Sequence, residues 1–123
     1  MKHVLKISAL LLLVCLSLTA QAKDTDKGLI GTWKYEATDA PSEYQTGTVI
    51  FYEEEGVSKV KVVTDYEVIK GENLKIEGNK IVFNAYVEYS YITVKIELKE
   101  DQLVGNVDTP EGVIAITLKK EKV

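Results

Sequence analysis

Arginine is absent from the whole chain of 123 residues, and the only histidine and the only cysteine, His3 and Cys15, fall within the first 22 positions. From residue 23 onward no side chain supplies imidazole, thiolate or guanidinium. Ser-His-Asp and Cys-His catalysis, the usual tetrahedral zinc sites and disulfides are thereby excluded from that part of the chain. Setting Lys2 and Lys6 aside leaves 13 lysines against 19 acidic residues, a net charge of −6. A surface of that sign repels phosphate backbones and has no bidentate base reader, so nucleic acid is not expected as a partner. The same sign opposes anionic membrane surfaces.

The first residues read as an export signal. Lys2, His3 and Lys6 precede the apolar run 7–18, and Ala20-Gln21-Ala22 places small residues at the two positions a signal peptidase reads. The expectation is a signal peptide over 1–22 and a single domain over 23–123 that is secreted or periplasmic. An apolar run of about 12 residues falls short of the ~20 a spanning helix needs, so no membrane span is expected after cleavage. Leu13 and Val14 do not make the small-residue box of a lipoprotein, and Cys15 is expected to leave with the peptide.

From Gly28 on, apolar residues recur at every second position and Val, Ile, Thr, Tyr and Phe dominate, the pattern of half-buried strands. Eight runs are expected to form strands, over 29–37, 48–54, 57–63, 67–77, 80–88, 91–99, 102–108 and 113–120. The hairpins between them can be tested for agreement, because facing residues in an antiparallel pair share one side of the sheet. A Glu55-Gly56 turn pairs Phe51 with Val60 and Val49 with Val62. Gly78-Asn79 pairs Ile76 with Ile81 and Leu74 with Phe83, and both dipeptides suit primed turns. Tyr89-Ser90 would set Val87 opposite Ile92, Ala85 opposite Val94 and Phe83 opposite Ile96. Glu100-Asp101 pairs Leu98 with Leu103, and a four-residue loop over 109–112 pairs Val107 with Ile114 and Leu103 with Leu118. All five turns agree on one apolar face. The other face carries lysines and glutamates of both signs, among them Lys61, Lys95, Glu88 and Glu97. Ile69 and Leu74 differ in parity, and a bulge at Gly71 would restore the phase.

A consecutive meander with one apolar face buries it either by closing on itself or by folding into two packed sheets. Tight hairpins leave no connection long enough for a Greek key, and closure removes both edges. The expected fold is therefore an all-β, eight-stranded antiparallel up-and-down meander barrel, with a two-sheet β-sandwich as the alternative. A barrel spanning an outer membrane needs strands of about 9–11 residues and an outward apolar band, which the short second and third runs do not supply.

Gly31-Thr32-Trp33 opens the first run with Gly and Trp on one face. This resembles the Gly-x-Trp that plugs the closed end of calycin barrels, the group of lipocalins, fatty-acid-binding proteins and avidin. With the export signal and the meander, the chain most resembles the short lipocalin-like proteins exported by Gram-negative bacteria. Lipocalins pack an arginine of the last strand over that tryptophan. Here no arginine exists, and Lys120, which shares the inward parity of Ile116 and Leu118, is the expected substitute, closing the end together with Gly31 and Trp33.

The resemblance implies a ligand at the opposite mouth, covered by the connection over 38–47. By parity the upper interior is lined by Tyr35, Ala37, Val49, Val62, Val87, Ile92, Val107 and Ile114, with Tyr44 folding over from the connection. That is an apolar cup with one or two phenol hydroxyls, suited to an uncharged hydrophobic small molecule. The competing reading is that these side chains simply fill a small barrel. A non-catalytic module binding protein or glycan through an outer patch of Tyr86, Tyr89 and Tyr91 would then be the alternative function. Glu53, Glu54 and Glu55 alternate faces and lack the carbonyl loop a hard cation needs, so no metal site is expected. The carboxylates expected on the convex face, Glu88 and Glu97 among them, share no cleft, and no catalytic constellation or cofactor is implied.

Overall fold

A computed structural model describes residues 28–121, so the expected export signal lies outside the described residues. Nine strands run β1 Gly31–Glu36, β2 Thr46–Glu54, β3 Val57–Val63, β4 Val68–Lys70, β5 Glu72–Glu77, β6 Lys80–Val87, β7 Ser90–Lys99, β8 Gln102–Thr109 and β9 Gly112–Lys120. They form one antiparallel sheet in the order β4-β3-β2-β1-β9-β8-β7-β6-β5. First and last strands pair, with Trp33 opposite Lys120 and Tyr35 opposite Leu118. The two strands at the ends of that order, β4 and β5, follow one another in the chain. The architecture is an up-and-down barrel, nearly closed, and the two-sheet alternative is set aside.

Closure depends on Gly71, which separates β4 from β5. Its N–H donates to the Val60 carbonyl of β3 at 2.9 Å, so the backbone steps across the seam instead of leaving two bare edges. A Cβ at this position would overlap the Val60 side chain and lie 3.1 Å from the Phe83 ring. Only hydrogen fits between those two core residues, and the run expected over 67–77 consequently divides into two strands. The extra residue that corrects the phase is not at Gly71, however. It lies between Glu72 and Lys75, where the register to β6 shifts and Asn73 takes a φ of 54°. Asn tolerates the left-handed region at little cost, which makes it the better bulge residue. The expected pairing of Leu74 with Phe83 falls inside this irregularity.

Four expected hairpins hold their register. Phe51 faces Val60, Ile76 faces Ile81, Leu98 faces Leu103, and Val107 faces Ile114. In the last of these Thr109 and Gly112 also pair, so the loop shortens to Pro110-Glu111. The β6–β7 hairpin differs by two residues from expectation. Its turn is Glu88-Tyr89, at φ 47° and 70°, and it sets Ala85 opposite Ile92 and Phe83 opposite Val94. A two-residue slip keeps every side chain on its face, so the inward set survives the correction.

The core is graded along the barrel axis. Its largest fully buried side chains include Trp33, Phe51, Phe83, Leu29, Ile81, Leu103 and Leu118, which fill the end where β1 begins and β9 finishes. Phe51 and Phe83 meet edge to face at 6.3 Å, a favourable arrangement for two ring quadrupoles. Trp33 is 1% exposed, and its indole N–H donates to the Leu29 carbonyl at 2.9 Å. Lys120 Nζ lies 5.8 Å from the indole centroid and donates to the Gly28 carbonyl at 2.9 Å. Gly31 makes room for that lysine, since a Cβ there would sit 3.0 Å from its Cε. Gly31, Trp33 and Lys120 thus meet at one end, as a cation over a ring on a plugged floor.

Candidate functional site

Toward the other end the inward residues become small: Ala37, Ala85, Val49, Val94 and Val107 are all buried. Small side chains on a barrel of fixed circumference cannot reach the axis, and a cavity of about 320 Å³ remains above Phe83 and Leu118. This is about twice the ~150 Å³ apolar cavity that accommodates a benzene, and it sits near the lower end of ligand pockets. The lower half of the barrel is filled and the upper half is a cup.

All nine residues expected to line the cup do so: Tyr35 and Ala37 from β1 and its end, Tyr44 from the following connection, Val49 and Val62 from β2 and β3, Val87 and Ile92 from β6 and β7, and Val107 and Ile114 from β8 and β9. Ile69, Phe83, Ala85, Val94, Ile116 and Leu118 add depth, and Ala40, Pro41, Glu88, Ser90, Thr109, Pro110 and Glu111 form the rim. The rim was not legible from alternation, because most of its residues lie in turns, where parity no longer says which way a side chain points. Glu88 is the clearest case. Placed on the convex face by strand parity, it is a turn residue that lines the mouth, because the β6–β7 turn begins one residue earlier than its composition suggests.

The covering connection is held by its own hydrogen bonds. Ala37 N–H donates to the Gln45 carbonyl at 2.8 Å, and the Gln45 side-chain amide donates to the Ala40 carbonyl at 3.1 Å. Pro41 precedes a single 3₁₀ turn over Ser42–Tyr44, closed by Tyr44 N–H to the Pro41 carbonyl. The turn aims the Tyr44 ring over the mouth, where its hydroxyl donates to Glu67 Oε1 at 3.3 Å. Glu67 in turn is set by Thr64, whose hydroxyl accepts from the Tyr66 and Glu67 N–H groups and caps the loop between β3 and β4. Partial burial, then hydrogen bonding and proximity to Glu88 and the nearby Glu67, push the Tyr44 phenol up to about 12. Tyr35 is 6% exposed, and burial raises its pKa as well.

Among the described residues no cluster of metal-ligating side chains occurs, and no helix is long and apolar enough to cross a membrane. Glu54 of the acidic hairpin bonds Lys59 at 2.8 Å, which holds its carboxyl below the ordinary range. Outside the barrel Tyr86 and Tyr91 pair across strands with ring centroids 4.7 Å apart, and the Tyr91 hydroxyl accepts from Asn73. Tyr89 stands fully exposed in the turn.

Structures of similar shape include the fatty-acid-binding protein of Schistosoma mansoni in complex with arachidonic acid, at 12% identity and a TM-score of 0.56 over 80% of this chain and 99% of that one. The fatty-acid-binding protein 1 of Echinococcus granulosus aligns at 13% identity and a TM-score of 0.55, over 78% of this chain and 99% of that one. The likeness is that of an antiparallel up-and-down β-barrel. A redesigned β-barrel also aligns, at 16% identity and a TM-score of 0.58, over 80% of this chain and 96% of that one. Identities this low carry the fold alone. No protein-family model and no curated protein sequence matches the chain.

Proposed function

We propose that the protein is an exported, non-catalytic barrel that binds a small hydrophobic molecule in its cup. The observation that carries this reading is the cavity itself: about 320 Å³, walled by aliphatic side chains, and covered by a self-bonded connection whose tyrosine reaches across the mouth. Burying an apolar molecule against those walls contributes roughly 25 cal/mol for each Å² removed from water. The fatty-acid-binding proteins of like shape support the same use of the fold, one of them in complex with arachidonic acid. Export, in the manner of short bacterial lipocalin-like proteins, is supported by the basic start, the apolar run and Ala20-Gln21-Ala22.

An environment-sensitive apolar dye provides the test. Saturable enhancement at one site per chain is expected, with loss of enhancement in Ala85→Trp, whose ring would occupy the cup. Enhancement that never saturates, or that survives Ala85→Trp unchanged, would count against the cup as the binding site. Export is tested by the mass of the protein recovered from fractionated cells, which should begin at Lys23 outside the cytoplasm; an intact start at Met1 inside it would refute export.

A further inference from the structure

The four segments at the mouth, 37–47, 63–68, 87–91 and 108–113, contain no lysine at all and seven carboxylates. Asp108 is engaged by Lys95 at 2.9 Å. The other six, Asp39, Glu43, Asp65, Glu67, Glu88 and Glu111, have no ion-pair partner among the described residues. Two of them, Glu88 and Glu111, line the cavity itself, and Glu67 holds the tyrosine that covers it. At the plugged end the charges are mixed, with Lys59, Lys80, Lys99, Lys119 and Lys120 interleaved among Glu53, Glu54, Glu55, Glu77, Glu100, Asp101 and Glu121 near the turns or the end of β9. The mouth therefore differs in having carboxylates with no lysine among them, placed around the opening of a low-dielectric cup, an arrangement that concentrates the field along the entry path.

Two hydroxyls sharpen the point. Tyr44 has one O–H, and the carboxylates of Glu67 and Glu88 share it. What this side chain presents to the cup is a pair of acceptor lone pairs and the face of a ring. Tyr35 belongs to the cavity wall, and its hydroxyl, engaged by no side-chain hydrogen bond among the described residues, is not a sealed polar atom but one that opens onto the cavity. A phenol oxygen that opens onto the cup can accept from a ligand there.

We propose, resting on the hydrophobic-binding reading above, that the cup selects amphiphiles with an ammonium head and rejects those with a carboxylate head. The alkyl part lies on the aliphatic walls. The head stays near the rim, since a charge drawn to the apolar floor would lose its hydration without compensation. There an ammonium donates to the Tyr35 and Tyr44 oxygens, faces the Tyr44 ring, and is held by Glu88 and Glu111. A carboxylate in the same place meets like charges and no cation. The likeness of shape to fatty-acid-binding proteins would thus not extend to the charge of the ligand.

The test uses the full-length barrel domain, residues 23–123, and three probes of equal chain length below their micellar concentrations: decylamine, decanol and decanoate, titrated by calorimetry at neutral pH. The expected order is amine, then alcohol, then acid, with the amine at least about tenfold tighter than the acid. That gap should shrink in about 1 M salt, where the Debye length is about 3 Å. The triple variant Glu67→Gln, Glu88→Gln, Glu111→Gln should bring amine and acid within about threefold, and Glu88→Lys with Glu111→Lys should reverse their order. Equal affinities in the native protein, or tighter decanoate, would overturn the charge selection while leaving the cup as a hydrophobic site. Absence of binding by all three, decanol included, would overturn both.

Discussion

Tyr44 joins the covering connection to two other rim segments through a single oxygen, so its titration reports whether the mouth is assembled. An unperturbed phenol titrates near 10, whereas this one is held neutral to about 12, by partial burial first and by Glu88 and Glu67 after it. In the difference spectrum between the native protein and Tyr44→Phe, tyrosinate absorption should therefore appear at about 12. Glu88→Gln should move that midpoint down toward 10. The linkage follows in sign: the fold favours the protonated phenol, so its contribution is complete below about 10 and is lost as the pH rises through the folded value. A midpoint near 10 in the native protein would mean that Tyr44 does not meet the two carboxylates.

At the scale of strands and turns, alternation carried most of the fold, and the places where it failed have local causes. Inward residues such as Val49, Val62, Ile92 and Ile114 were legible because strand parity leaves only two directions, and a closed sheet assigns one of them to the core. The β6–β7 turn was not legible, because Glu88-Tyr89 and Tyr89-Ser90 are equally poor in turn residues and both registers preserve the faces. The split of β4 from β5 was hidden for another reason. Gly71 read as a bulge, while its actual role depends on Val60 and Phe83, which are near it only once the barrel closes. Tyr89 holds a φ of 70° without the freedom of glycine. Tyr89→Gly should relieve that strain and stabilise the fold by about 1 kcal/mol, read as a higher urea midpoint at unchanged slope. A lower midpoint would show that the exposed ring contributes packing that the turn geometry does not reveal.

Over the whole molecule two gradients run along one axis. Side-chain volume falls from the Trp33, Phe51 and Phe83 floor to the alanines and valines of the cup, and charge passes from mixed lysines and carboxylates to segments that carry carboxylates alone. The lining of the cup could be read from the sequence, but its volume could not. Parity lists the residues that face an axis, whereas the space left between them depends on barrel circumference and on how far each side chain reaches. The acidic rim was equally hidden, because its carboxylates come from four segments that only closure of the sheet brings to one opening. The central claim, that an apolar molecule lodges in the upper half of this barrel, is tested most directly by amide and indole chemical shifts during a titration with decanol. Saturable changes are predicted at Tyr35, Ala85, Ile92 and Ile114, with the Trp33 indole N–H unmoved beneath the floor. Changes confined to Tyr86, Tyr89 and Tyr91 on the outer surface, or none at any residue, would contradict it.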